Sequence, residues 1–436
     1  MIKLSVLLIN KNRRDSVEWC INSIICQLDK EDQFIVIDDS SDDDSLEIIK
    51  SYSGHIDKII EFSSNGNRSA VRNRAAREAV NEILVFIDSD VIIAPDNLRI
   101  VRETHEDTNI AGLNGTVYGN NHTLEQFELI THCSIEDFDS MVKKDFSNLS
   151  EYKLVADYRS LWGHFVADTS RNWPNYFTSF ATARRELFEE IGGFDENFHR
   201  WGVEDMEFAY RLNPKGKIVF VPEIVSYHRP HNKNQFENAY SNLQNLYYML
   251  NKYRNRETEM ICCWGVNTDP RMRDYYDKIY AYIKANNTYE EITLLEGEVA
   301  VYFCLPEHEN GLVEYVEHGE RKRVELFGYA LPFVDGRFKR VFVSGAYSLI
   351  PPNMFGSVLQ ELIRISGKVL ISKNIIQLPS YYDVNASNDV IFLFGNIFGV
   401  THIIQWYDRY EYDENYYEMK WKDGARLLLS KQVEEI

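Results

Sequence analysis

The chain has 436 residues, 44% of them hydrophobic, and 67 Asp plus Glu against 47 Lys plus Arg give a formal net charge of -20. That length fills two or three hydrophobic cores, while the acidic balance disfavours long-range attraction to nucleic acid or to an anionic bilayer. No charged leader precedes an apolar run and no apolar stretch reaches membrane-spanning length, so the expected location is cytoplasmic.

Leu4 to Ile9 is a short run rich in Val, Ile and Leu and reads as a strand; residues 16 to 28 carry Val17, Cys20, Ile21, Ile24, Ile25 and Leu28 on one helical face, with Ser16 placed to cap it. Phe34 to Ile37 repeats the strand signal and ends in Asp38-Asp39-Ser40-Ser41, with Ser41 and the acidic residues after it opening a helix that carries Leu46, Ile48 and Ile49. A strand near 56–61, a helix near 68–80 bearing Arg68, Arg72 and Arg74, a strand at Ile83 to Ile87 and another near 112–117 follow. Strands alternating with helices predict a mostly parallel sheet covered on both faces, with ligands at the carboxyl ends of its strands. Both acidic clusters, Asp38/Asp39 and Asp88-Ser89-Asp90, fall at such ends.

Asp88 and Asp90 are two apart, so a locally extended segment directs both carboxylates to one side, where they can take Mn2+ or Mg2+ directly or through water. Such a cation would offset phosphate charge and stabilise a nucleotide leaving group. Taken alone, the triplet equally describes a solvated acidic turn. Periodicity weakens between about 120 and 175, a stretch holding His122, His132, Asp137, Asp139, Tyr158, Trp162 and His164. It recovers at Tyr176 to Ala183 and in a short helix from Arg184 to Glu190, stopped by Gly192-Gly193. In Arg200-Trp201-Gly202-Val203-Glu204-Asp205-Met206-Glu207-Phe208, a helix starts at Glu204, with carboxylates in its first turn and Glu207 and Arg211 spaced as a surface ion pair. His228 closes the strand-like Pro222 to His228 and acquires a role if the fold returns it to the Asp88 loop.

In this order the signals resemble family 2 glycosyltransferases with the GT-A fold: Ser5 to Asn12, Asp38-Asp39, Arg72-Asn73, Asp88-Ser89-Asp90, Gly192-Gly193-Phe194-Asp195 and Trp201-Gly202-Val203-Glu204-Asp205. The last segment also looks like the acceptor-side motif of galactosyl- and N-acetylgalactosaminyltransferases, including bacterial polymerases of the chondroitin type. The resemblance implies a UDP-sugar donor, with Asp38 or Asp39 beside uracil and ribose and Arg72 orienting sugar or phosphate. It assigns Asp88 and Asp90 to the sugar ribose and the metal, and His228 to a third metal ligand. Asp205 becomes the general base, Glu204 a partner for sugar hydroxyls and Trp201 a platform for an apolar sugar face. Where such enzymes usually carry an Asp or Glu after the first strand, this chain has Asn10, Lys11, Asn12 and Arg13, of which Asn10 is the candidate nucleotide contact.

Residues 231 to 256 read as a helix whose Phe236, Tyr240, Leu243, Leu246, Tyr247 and Leu250 form a core-facing stripe. The expected organisation is a GT-A domain over 1–256 and an accessory, degenerate Rossmann-like α/β domain over 257–436 that binds acceptor or mediates oligomerisation. In the latter, strands are expected at Glu298 to Leu305, Arg340 to Ser344 and Lys368 to Ser372, with a helix at Phe355 to Ile365. The segment from Leu331 to Ile365 resembles the later half of an S-adenosylmethionine-dependent methyltransferase, without a Gly-rich cofactor loop before it. Aromatics such as Trp406, Tyr407, Tyr416 and Tyr417 crowd the C-terminal stretch. The six cysteines, at 20, 26, 133, 262, 263 and 304, fit neither a disulfide framework nor a zinc spacing and are expected as reduced thiols.

The function these features predict is metal-dependent, inverting transfer of a hexose or N-acetylhexosamine from a UDP-sugar to a hydroxyl in bacterial surface glycan synthesis. A peptide or bacteriocin acceptor, or a noncatalytic glycan-binding role on the same scaffold, are the competing readings.

Overall fold

In the computed structural model the apolar runs of the first half form β1 (Leu4–Asn10), β2 (Gln33–Asp39), β3 (Lys58–Phe62) and β4 (Ile83–Asp88), joined by α1 (Val17–Ile25), α2 (Ser45–Ser51) and α3 (Arg68–Ala76). The described residues are 2–119, 134–137, 172–253, 292–302, 312–326, 333–344, 352–372, 407–411 and 416–421, with a few isolated positions between them. His122, His132, Asp139, Tyr158, Trp162, His164, Trp406 and four of the cysteines (133, 262, 263 and 304) lie outside them. Cys20 is a buried and Cys26 an exposed free thiol. Among the described residues no helix is long and apolar enough to cross a membrane.

The chain divides into two units, Met1–Asn245 and Leu246–Ile436. In the first, β5 (Val91–Ile93), α4 (Asn97–Thr104), β6 (Ile110–Tyr118), β7 (Phe180–Arg184), α5 (Arg185–Glu190), α6 (Glu204–Leu212) and β8 (Lys217–His228) complete the set. Its eight-stranded sheet has the order β3-β2-β1-β4-β7-β6-β8-β5. The β3-β2-β1-β4 half is parallel, as the strand and helix alternation predicts, while β7 runs antiparallel to both β4 and β6. Leu4, Val6, Leu8, Phe34, Val36, Ile83, Val85 and Ile87 pack with Val17, Cys20, Ile21 and Ile24 of α1 in one core, all fully buried.

Two helix starts differ from the sequence reading. Ser16 occupies the N-cap position of α1 but its hydroxyl donates to the Ser89 carbonyl (2.8 Å) instead of capping. The second helix begins at Ser45 with Asp44 before it, because Ser41 is drawn to Asp38.

The expected boundary after residue 256 differs from the division at Asn245, which falls inside α7 (Gln235–Tyr253). The expected apolar stripe of α7 is also only partly buried: Leu246 and Leu250 are, whereas Tyr240, Leu243 and Tyr247 are exposed. Its inward positions in the first unit are instead Ser241 and Asn245.

In the second unit β9 (Glu298–Tyr302), β10 (Leu312–Glu317), β11 (Glu320–Val324), β12 (Arg340–Val343), α8 (Pro352–Ile365), β13 (Val369–Ser372), β14 (Tyr407–Glu411) and β15 (Tyr416–Trp421) form a seven-stranded sheet, order β11-β10-β9-β12-β13-β15-β14. Strands β9, β12 and β13 are parallel neighbours, as in the centre of the Rossmann-like sheet expected for this part of the chain. The departure is at β10, which returns antiparallel to β9 and continues into a hairpin with β11, where a dinucleotide-binding fold has a second parallel strand.

Candidate active site

Sheet register brings the polar strand ends together. Asn10 lies opposite Asp38, and Ile9 opposite Asp88. Asn10 reaches Asp38 Oδ1 (2.6 Å), Ser45 Oγ (2.9 Å) and Ser41 Oγ (3.2 Å) through Nδ2. Asp38 also accepts from the Ser41 amide (2.9 Å) and hydroxyl (2.6 Å), and Asp39 accepts from the Ser64 amide and hydroxyl, both at 2.7 Å. Lys11 stands 3.5 Å from Asp39 Oδ2. Both carboxylates are buried, so their charge is held by this internal network of donors.

After β4 the chain turns at Ser89-Asp90, not in the extended form expected, and the two aspartates diverge. The turn is fixed from below: the Ser16 hydroxyl (2.8 Å) and the Cys20 thiol (2.9 Å) donate to the Ser89 carbonyl, while the Ser89 amide donates to Ile9 O (3.0 Å). Asp88 pairs with Arg72 Nη2 at 3.4 Å. Asp90 turns the other way, toward Arg13 Nε (2.8 Å from Oδ2), His231 Nε2 (3.3 Å from Oδ2) and His228 Nε2 (3.6 Å from Oδ1).

The histidines arrive there through β8. Its register against β6 shifts between Gly115 and Thr116, where Pro222 to Ile224 are passed over and the pairing resumes at Val225. Proline lacks the ladder donor, and a bulge re-aims a strand. Beyond it Val91 pairs with His228 and the Arg229 amide donates to Asp90 O (2.8 Å), which sets His228 and His231 beside the acidic turn.

Asp90, His228 and His231 each offer a ligand atom within 4.8 Å of the others. The residues fit a divalent cation. Asp90 Oδ1 and His228 Nδ1 are buried without a hydrogen-bond partner, and one carboxylate with two imidazoles is a donor set for a transition-metal ion such as Mn2+. Burial opposes ionisation of Asp90, yet His228, His231 and Arg13 outweigh it and hold its carboxyl well below the usual range. Burial likewise lowers His228 to about 4, against the pull of Asp90, which keeps the ring neutral and able to ligate. Asp88, expected as a ligand, is outside this convergent set, and His231 stands in it instead.

The acidic helix is fastened to the same edge by Arg72. This fully buried guanidinium donates to Glu204 Oε1 (3.0 Å) through Nη1, contacts Asp88 through Nη2 and lies 5.6 Å from the Phe194 ring centroid. Phe194 in turn packs edge-on to Phe86 of β4 (5.4 Å) and stacks on Phe208 of α6 (4.3 Å). Asn73 completes the joint by bonding the Phe194 amide and carbonyl, both at 2.8 Å. Glu204 is turned inward, its other oxygen accepting the Gly202 amide (3.0 Å), so it braces the turn and has no side-chain oxygen without a protein donor. The Glu207 and Arg211 pair is buried, not a surface pair: Glu207 is fully enclosed and Arg211 also donates to the carbonyls of Ile191 and Gly193 (both 2.7 Å).

Asp205 lies on the half-buried side of α6, accepting the Met206 amide at Oδ1 (2.8 Å) and the Thr178 amide at Oδ2 (3.4 Å). Burial and the charge of Glu204 push its carboxyl up to about 7 despite Arg72. The preceding turn is strained: Arg200, Gly202 and Val203 have φ of 62°, 103° and 74°, and a β-branched residue there is an outlier. From α7, Ser241 accepts the Trp201 amide (3.1 Å) and donates to the Trp201 carbonyl (2.7 Å), while Asn245 donates to Gly202 O (2.7 Å) and His199 O (3.1 Å). Trp201 itself is 39% exposed.

The polar strand ends, the cluster of Asp90, His228 and His231, and Asp205 thus all stand on one mixed α/β frame. Residues 5–192 match the family model Glycosyl transferase family 2, and residues 165–233 match the model described as N-terminal domain of galactosyltransferase. The chain carries a family 2 glycosyltransferase domain, an enzyme domain of mixed α/β architecture.

Among curated relatives, it is 27% identical over 275 residues to validoxylamine A glucosyltransferase of Streptomyces hygroscopicus subsp. limoneus, covering 60% of this chain and 59% of that protein. It is 31% identical over 197 residues to chondroitin synthase of Pasteurella multocida, covering 42% of this chain and 20% of that one. An uncharacterized glycosyltransferase of Bacillus subtilis is 26% identical, covering 55% of this chain and 69% of its own. The chain thus spans about three fifths of the first relative and a fifth of the second. The crystal structure of S. aureus TarS 1-349 in complex with UDP-GlcNAc superposes with a TM-score of 0.43 at 16% identity, over 65% of this chain and 73% of that one.

Proposed function

We propose that the first unit is a divalent-metal-dependent, inverting glycosyltransferase that moves a hexose or N-acetylhexosamine from a UDP-sugar to a hydroxyl of a saccharide acceptor in bacterial surface glycan synthesis. The observation that carries this reading is Arg72, which joins Asp88 of the acidic turn to Glu204, the neighbour of Asp205, in one buried contact. Relatives that include a chondroitin synthase and a glucosyltransferase support a saccharide acceptor.

In this reading Asp90, His228 and His231 hold Mn2+ or Mg2+, which when bound offsets the charge of the departing diphosphate. The edge formed by Asn10, Asp38 and Asp39 takes the nucleoside, using the lone pairs that the internal donors leave on the two carboxylates. Asp88, the more accessible member of the acidic turn, addresses the ribose and the transferred sugar. Trp201 offers an apolar face to a sugar ring.

Asp205 is the base. Its Oδ2, with only the long Thr178 contact, accepts the acceptor hydroxyl proton. As that proton leaves, the acceptor oxygen forms a bond to the anomeric carbon, and the bond to the diphosphate breaks with its electron pair leaving on the phosphate oxygen. Attack opposite the leaving group inverts the centre. A base of this kind contributes about 10²–10⁴-fold.

Release of UDP from a UDP-sugar panel in Mn2+ tests the reading. Asp90→Ala is expected to abolish release and Asp205→Asn to reduce kcat by about 10³-fold. Undiminished turnover in Asp205→Asn would remove the base from the mechanism.

A further inference from the structure

Arg13 occupies a position that the transfer reaction leaves unexplained. Its Nε is 2.8 Å from Asp90 Oδ2, and its Nη2 is 3.2 Å from His231 Nε2. The other nitrogen of His231, Nδ1, lies 2.9 Å from the Asn232 carbonyl, so Nε2 is the ring nitrogen that faces the guanidinium and Asp90. Two of the three side chains grouped around the candidate cation position, Asp90 and His231, are therefore already in contact with one guanidinium. A guanidinium held against both side chains and a divalent ion held by them are like charges at close range, so each opposes the binding of the other.

The side chain can leave without disturbing the fold. The backbone of Arg13 is anchored at the head of α1, its carbonyl accepting the amides of Ser16 (3.0 Å) and Val17 (2.8 Å). Its side chain is 27% exposed, against 8% for Asp90. Arg68 and Lys233 lie within electrostatic reach of the same group of residues. An anion brought to this corner of an acidic protein meets three cations, Arg13, Arg68 and Lys233.

We propose that Arg13 is a competitor built into the metal centre: a divalent cation displaces its guanidinium from Asp90 and His231, and the freed guanidinium then binds the diphosphate of the donor. Metal and nucleotide affinities are thereby coupled through one side chain, and the coupling is reciprocal. In the absence of nucleotide Arg13 weakens the metal; in the presence of metal it strengthens the nucleotide. This inference rests on the metal-dependent reading of the same site.

The test is Mn2+ binding to the full chain, followed by the electron paramagnetic resonance signal of free Mn2+, with and without UDP. For Arg13→Gln we expect Mn2+ alone to bind about tenfold more tightly than to the wild type, and UDP at saturating Mn2+ to bind about tenfold more weakly. Arg13→Lys, which keeps the charge but loses the two-point fork, is expected between the two for Mn2+ and serves if the Gln variant does not fold. Mn2+ affinity that is unchanged or lower in both variants, with native circular dichroism, overturns the inference while leaving the metal reading intact. Failure of all three proteins to bind Mn2+ overturns both.

Discussion

Asp205 sits where an ordinary carboxylate would be fully ionised, but burial and the neighbouring Glu204 push its carboxyl up to about 7. The consequence for turnover has a definite sign. The base we propose works deprotonated, so kcat/KM should rise with pH up to about 7 and level off above it, and Asp205→Asn should lose that limb along with most of the rate. For stability the sign is opposite. A carboxyl whose folded pKa exceeds its unfolded value binds more protons folded than unfolded between pH 3.8 and about 7, so its contribution falls as pH rises through that window. Asp205→Asn should therefore raise the unfolding free energy at pH 8 by on the order of 1–2 kcal/mol after discounting for its partial exposure, seen as a higher melting temperature. A variant that loses activity without gaining stability would argue against the raised pKa. In the sequence Asp205 is singled out by the resemblance of the Trp201 to Asp205 segment, since its place in the first turn of a helix equally suits an ordinary carboxylate there. His231 was not legible: it stands three residues beyond His228, past the end of β8, and only the re-aimed strand brings it to Asp90.

The turn before Asp205 depends on α7. Three residues of that turn have positive φ, and a Cβ on Gly202 would meet Asn242 Oδ1 at 2.6 Å. Strain of about 1–3 kcal/mol per residue persists only where neighbours impose it. Ser241 and Asn245 supply that constraint. We expect the double substitution Ser241→Ala, Asn245→Ala to lower kcat by about 10–10²-fold, because a small displacement of the base is costly, while the KM for donor stays near the wild-type value. A rise in donor KM with unchanged kcat would contradict the role. Sequence patterning could not expose this, since the polar positions of an amphipathic helix ordinarily face solvent and here they face main-chain carbonyls. The same inversion explains why Tyr240 and Leu243 are exposed instead of buried. Strands β1, β2 and β4 were legible because runs of Val, Ile and Leu buried on both faces have few alternatives. The hairpin of β10 and β11 carries charges such as Glu314, Arg321 and Arg323 and offered no such run.

At the scale of the whole molecule, a net charge of -20 repels a dianionic donor while a handful of cations near Asp90 attracts it. The repulsion is long-range and screened over about 10 Å at 0.1 M salt; the local contacts are partly buried and screened less. Raising ionic strength from about 10 to 100 mM at constant free Mn2+ should therefore lower the donor KM, and a steady rise instead would show that local cations dominate even at a distance. The parallel half of the first sheet followed from alternation along the chain, but the antiparallel β7 and the bulged β8, which deliver the aromatic joint and the histidines, depend on contacts remote in sequence.

Beside the Arg200 and Glu237 ion pair, the grip of α7 on the residues before Asp205 is made through main-chain groups of His199, Trp201 and Gly202, and none of these bonds uses the indole. Replacement of Trp201 by another side chain therefore leaves Asp205, the base we propose, where it is. A lineage of such enzymes could exchange one acceptor sugar for another by changing a single exposed ring, keeping the chemistry and altering only what is offered to it.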